Sequence, residues 1–165
     1  MFCFFISFGQ KKIEHLGVNW PGEYNWKIIR QEKNENRQSV MIIPGGETTP
    51  TPSIVGSMTS YRGTKMASVA EIINNYRSRI DVGSILSEVE ADSTAKHIWV
   101  IFKIETPSTE KYPQPESDLY YIVQGEYALY ENYVAIKEAS LSAEFVKKWT
   151  DIFKTSEVKI DQARN

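Results

Sequence analysis

The sequence predicts an α+β fold in which an antiparallel β-sheet is covered by two amphipathic helices. The element order is β-β-β-α-β-β-β-β-α, with the character of an α/β/α sandwich. Three observations predict it. Stretches beginning at Ser68 and Ser142 carry apolar residues at helical spacing behind a serine cap. Strand-like apolar runs elsewhere are joined by short polar turns, which pair neighbours antiparallel. Aromatic residues make up 12% of the chain, and aromatic and β-branched side chains suit pleated surfaces.

Trp26 to Glu32 and Ser39 to Ile43 are apolar runs separated by the polar segment Lys33-Asn34-Glu35-Asn36-Arg37, which reads as a first hairpin. Pro44-Gly45-Gly46 ends it, and Glu47 to Pro52 forms a loop with two prolines and three threonines. The glycine pair is a turn, because a phosphate-binding loop needs a Lys-Ser/Thr pair and a following helix. Ser53 to Tyr61 makes a third strand. The first helix starts at Ser68, where Ser68-Val69-Ala70-Glu71 fits a capping box in which serine and glutamate satisfy orphan backbone N–H groups. Val69, Ile72, Ile73, Tyr76 and Ile80 form its apolar stripe, and Asp81-Val82-Gly83 ends it.

From Ser84 to Asp92 the period returns to two, which predicts a half-exposed strand. His97 to Glu105 is continuously apolar through its middle and is expected to be a central strand covered on both faces. The loop from Thr106 to Ser117 carries three prolines and is long for a connection in a compact domain. Asp118 to Gln124 and Tyr127 to Lys137 are strands joined at Gly125-Glu126. Ser142 caps the last helix, whose apolar face is Phe145, Val146, Trp149, Ile152 and Phe153. The domain organisation is then a signal-peptide remnant at residues 1–9, one α+β domain over residues 10–158, and a frayed polar tail over residues 159–165.

This order of elements resembles the Mog1/PsbP-like group over about residues 20 to 158. The local support is Asn25-Trp26-Lys27-Ile28 opening the first strand, and Tyr133-Val134-Ala135-Ile136 feeding a closing helix that carries Trp149. The resemblance implies helices packed on an antiparallel sheet, in a group that includes exported bacterial proteins without known activity. It carries over no catalytic residue.

The N-terminal run Phe2-Cys3-Phe4-Phe5-Ile6 leads into Ser7-Phe8-Gly9 and stops at Gln10-Lys11-Lys12. Small residues at the first and third of these positions, followed at once by polar sequence, read as a signal-peptidase site near Gly9-Gln10. The run is shorter than a usual apolar region of about 7–15 residues and has no basic residues before it, and a start further upstream accounts for both. Export to the periplasm or beyond is the expectation, with an apolar strand of a cytoplasmic protein as the alternative. No segment reaches the about 20 apolar residues of a membrane-spanning helix.

Nineteen basic and twenty-one acidic residues give a net charge of −2, which removes the usual driving force for nucleic-acid binding. The single cysteine, Cys3, excludes an internal disulfide. His15 and His97 stand at no metal-ligand spacing, so neither a metal nor another cofactor is expected. No Gly-x-Ser-x-Gly elbow is present. Glu88, Glu90 and Asp92 are expected on one side of their strand with Lys103 and Glu105 nearby, as a charged face that protects an edge rather than a calcium site.

Tyrosine and tryptophan supply much of the energy at recognition surfaces, and the chain has six tyrosines from Tyr112 to Tyr133, with Trp20 and Trp26 upstream. Tyr120 faces opposite to Tyr121 on one strand. Tyr112 and Tyr120, beside the Thr106–Ser117 loop, are the candidate binding residues. The function expected is that of an exported, non-enzymatic domain that binds a protein or an envelope component. Two alternatives stand beside it. One is a cytoplasmic immunity-type protein that neutralises a toxin by binding; the other is a carboxylate-dependent enzyme using Glu88, Glu90 or Glu105. The oligomeric state is not encoded in any pattern of the sequence.

Overall fold

Three consecutive residues of the predicted central strand, Val100, Ile101 and Phe102, have no exposed surface, and they point alternately into two separate cores. Both of its faces are covered, as expected, but in the sheet it lies beside the edge strand rather than at the centre. The computed structural model describes residues 12–108 and 113–162. Its elements are β1 (Lys12–Gly17), a 3-10 turn (Gly22–Tyr24), β2 (Lys27–Lys33), β3 (Arg37–Ile43), β4 (Val55–Arg62), α1 (Val69–Arg77) and β5 (Ile85–Asp92). Then come β6 (Trp99–Thr106), β7 (Glu116–Gln124), β8 (Ala128–Ile136), α2 (Ala143–Lys154) and β9 (Glu157–Gln162).

Seven strands form one antiparallel sheet in the order β2-β3-β4-β8-β7-β6-β5. After β4 the chain crosses to the far edge through α1, then walks back strand by strand until β8 lies against β4. Helix α1 begins where Ser68 Oγ accepts from the Glu71 N–H at 3.1 Å, and Glu71 Oε2 accepts from the Ala67 N–H at 2.6 Å. It buries Ile72, Ile73 and Tyr76 against Val100, Phe102, Ile104, Ile122 and Leu129. Helix α2 begins with Ser142 Oγ accepting from Phe145 N–H at 3.1 Å. It buries Trp149 and Phe153 against Ile101, Leu119, Tyr121 and Val134 on the opposite face. Trp20, Tyr24 and Trp26 pack on the same core.

The balanced α/β/α sandwich expected from the sequence is corrected to a β-rich fold. Strands hold 46% of the structure and helices 17%, since the helices have only nine and twelve residues. Part of the difference lies at the ends of the described chain. The segment from residue 159, expected to be a frayed tail, continues β9, which pairs antiparallel with β1 from Gly17↔Glu157 to Lys12↔Gln162 as a separate two-stranded sheet. Val158 and Ile160 alternate there with Glu157, Lys159 and Asp161, a short strand signal.

A second correction concerns the acids of β5. A β-bulge lies between Glu88, opposite Phe102, and Glu90, opposite Ile101. The extra residue shifts the pleat by one, so Glu88 shares a face with the α1 core while Glu90 and Asp92 share the other. The three acids therefore do not lie on one side.

The proposed signal segment at residues 1–9 lies outside the described residues. Among the described residues, no helix is long and apolar enough to cross a membrane.

Candidate functional site

Antiparallel pairing places Phe102, Tyr120 and Tyr133 on one rung across β6, β7 and β8. The Tyr120 ring stacks on Phe102 at 5.1 Å and 8°, lies 5.1 Å from Tyr133, and meets Tyr76 of α1 at 5.4 Å. Tyr120 and Tyr76, backed by the other two rings, line a cleft of about 510 Å³ beside α1 together with Tyr61. Asp118 lies two residues along β7, on the same face as Tyr120 because the strand period is two. On the other side Glu131 accepts from the Tyr76 hydroxyl and, at 3.3 Å, from the Tyr61 hydroxyl. Lys137 pairs with Glu116 at the rim, and Arg79 lies 4.8 Å over the Tyr76 ring.

Burial, helped by the neighbouring charge of Glu116 and opposed by Lys137, pushes the Asp118 carboxyl up to about 7. Burial likewise raises the hydroxyls of Tyr76, Tyr120 and Tyr133, which stay protonated, and that of Tyr76 donates to Glu131. The cleft thus combines aromatic faces, phenolic donors and a carboxyl that exchanges its proton near neutrality.

A second cleft, of about 650 Å³, lies on the opposite face of the sheet between β1 and the strands β3, β4 and β8. Glu14 of β1 ties this wall to the β7–β8 hairpin. Its carboxylate accepts from the N–H groups of Glu126, Tyr127 and Ala128 at 2.7, 3.0 and 3.2 Å, and from the Tyr130 hydroxyl at 3.1 Å. Gly125 is required at this turn, because a Cβ there would lie 2.3 Å from Glu14 Oε1. Further along β4, outside the cleft's lining, Trp20 covers Gly56, where a Cβ would come within 2.7 Å of the indole, and donates Nε1–H to Met58 Sδ at 3.0 Å. Asn132 is on the rung of Met58 and is 3% exposed, and its Nδ2 has no hydrogen-bond partner among the described residues. Arg62 is exposed at the end nearest Tyr130, where its charge pulls against the burial that raises that phenol.

The sequence-predicted residues divide between these places. Tyr120 lies in the tyrosine–acid cleft. Tyr112 lies outside the described residues. Tyr121 faces the α2 core and stacks on Phe153 at 5.4 Å. Trp20 and Trp26 belong to that core, 5.7 and 6.3 Å from Trp149.

The enzyme candidates are dispersed: Glu90 pairs with Lys154, while Glu105 pairs with Lys103 and accepts from the Leu141 N–H at 2.8 Å. His15 pairs with Asp161 at 3.5 Å, and His97 lines a shallow pocket beside Trp99. Among the described residues no three His, Cys, Asp or Glu side chains are placed to hold a metal ion.

Asp118, Glu131, Tyr76 and Asn132 were not singled out by sequence reasoning. For Asp118 the signal was available in its parity with Tyr120. For Tyr76 and Glu131 it was not, because helix and strand meet only in three dimensions.

No family model matches the chain, and no curated protein matches it. Among solved structures, a crystal structure from Bacteroides thetaiotaomicron VPI-5482 is similar with a TM-score of 0.49 and 13% identity. The match covers 91% of this chain and 48% of that one, so this chain spans about half the length of the protein it matches. A likeness of this degree carries no argument about activity or partners.

Proposed function

We propose that this chain is an exported, non-enzymatic binding domain that grips a positively charged side chain of a partner protein in the tyrosine–acid cleft. The observation that supports the reading is the imbalance of charge over an aromatic floor. Asp81, Glu116, Asp118 and Glu131 line the cleft against two cations, Arg79 and Lys137. Both cations are engaged: Lys137 with Glu116, and Arg79 with the Tyr76 ring and Asn75. A lysine or arginine entering from a partner meets Asp118 and the faces of tyrosines. Cation–π contact with such faces is worth about 0.5–2 kcal/mol, more when water is excluded. Tyrosine-lined, partly desolvated pockets are also where binding energy concentrates at protein interfaces.

The test is a titration of isotope-labelled protein with an oligolysine peptide, followed by NMR. Saturable shifts centred on Asp118 and Tyr120, weakened about tenfold by Asp118→Asn and by added salt, are expected. Shifts that do not saturate, or that Asp118→Asn leaves unchanged, would overturn the reading.

A further inference from the structure

β1 and β9 come from opposite ends of the described chain and pair only with each other, so the large sheet lends them no backbone hydrogen bonds among the described residues. Residues directly opposite in an antiparallel pair point to the same side, which gives this ribbon an inner face of Glu14, Leu16, Val158 and Ile160. Its base is pinned. Asn19 Nδ2 donates to Thr155 Oγ1 at 3.1 Å, and Leu16 and Val158 pack on the α2 core. Two residues further out the apolar grip ends: Ile160 is 41% exposed, and its cross-strand partner is Glu14.

Beyond the Leu16–Val158 pair, every hydrogen bond from ribbon to body among the described residues ends on the Glu14 carboxylate. Three consecutive backbone N–H groups, of Glu126, Tyr127 and Ala128, converge on it together with the Tyr130 hydroxyl. The β7–β8 turn is thus an anion nest that the chain fills with its own acid. The ion pairs of the ribbon stay within it, His15 with Asp161 and Lys159 with Glu157. Glu14 is half-buried rather than sealed from solvent. Across the cleft of about 650 Å³, Ile13, Glu14, His15 and Leu16 of the ribbon face Val40, Met58 and Tyr130 of the sheet.

We propose that the β1–β9 ribbon is a hinged strap over the sheet face at β3, β4 and β8, and that Glu14 in the turn nest is the latch that holds it shut. The hinge is the pinned base, at residues 17–19 and 155–156. A carboxylate on N–H donors makes stronger hydrogen bonds than a neutral acceptor, so one side chain holds an outer segment that has no apolar anchor. Releasing it frees the nest and bares the cleft in one movement, while Leu16 and Val158 stay at the base. The strap lies on the other face of the sheet from the tyrosine–acid cleft, and either reading can fail without the other.

The experiment compares hydrogen exchange of the full chain with that of Glu14→Gln, which keeps the size of the side chain and removes its charge. The amides that pair β1 with β9 are expected to exchange about tenfold faster in the variant, with those of β6 and β7 unchanged. Tyr130→Phe, which removes one of the four donors, should accelerate the same amides less. Opening is read separately as oxidation of Met58 by hydrogen peroxide. It should rise severalfold in Glu14→Gln, while Met66, packed on the other face, keeps its rate. The proposal is overturned if ribbon protection is unchanged in Glu14→Gln, if β6 and β7 speed up equally, or if the ribbon loosens without a change at Met58.

Discussion

Asp118 shows how far one side chain departs from what its identity suggests. Its carboxyl titrates near 7 in the folded chain, against about 3.9 for an unperturbed aspartate. Between those values the folded state holds a proton that the unfolded state has released, so stability falls as pH rises from about 4 to about 7 and is flat above. Asp118→Asn removes the effect. The variant is expected to melt above the parent at pH 8 by about 1–2 kcal/mol, with the gap closing by pH 4, as thermal denaturation at both values would show. Under the proposed function a bound lysine would reverse the preference by stabilising the carboxylate, so that binding of a basic partner strengthens as pH rises through about 7. At this scale the sequence was half legible. The parity of Asp118 and Tyr120 could be read from the strand, but the burial that raises the carboxyl comes from distant chain, and the orphaned amide of Asn132 depends on neighbours three strands wide.

Among elements, the helices were the most readable, because their signals are local. A serine, a glutamate three residues on and a stripe at helical spacing suffice, and both caps form as hydrogen bonds of 3.1 Å. Ser142→Ala leaves the Phe145 N–H without its acceptor and is expected to cost about 1 kcal/mol, measured as a shift in the denaturant midpoint at constant slope. The irregularities of strands were not readable in the same way. Alternation in β5 suggested one acidic face, yet Val89 is inserted as a bulge, and nothing in a single strand says that its partner is one residue short. The β1–β9 pair was missed for a related reason. Six polar-rich residues make a strand only when a complementary strand reaches them, and here the partner comes from the opposite end of the described chain.

For the molecule as a whole, the sheet outweighs everything else. The sequence announced two helices and a run of strands, but not their proportions: the helices are too short to make layers equal to a seven-stranded sheet. The two faces carry separate cores, and each has its own cleft, one polar and aromatic beside α1, one beneath β1. The proposed location outside the cytoplasm rests on residues 1–9 alone. Intact mass of the protein from fractionated native cells tests it: a chain beginning at Gln10 outside the cytoplasm is the expected result, whereas an intact Met1 in the cytoplasm would favour the immunity-type reading.

The adjacency of β4 and β8 bears on how the chain finds this shape. Val55 pairs with Ala135 across an intervening stretch that holds α1 and three other strands, while every other neighbouring pair in the large sheet is joined by a local connection. Hairpins close within microseconds, but a pairing so remote in sequence must first restrict a long loop. The meander β5–β8 and the three strands β2–β4 are therefore expected to form as two local assemblies, with the zipping of β4 against β8 the last pairing of the large sheet. Substitutions in that seam would show it by speeding unfolding while leaving the folding rate almost unchanged.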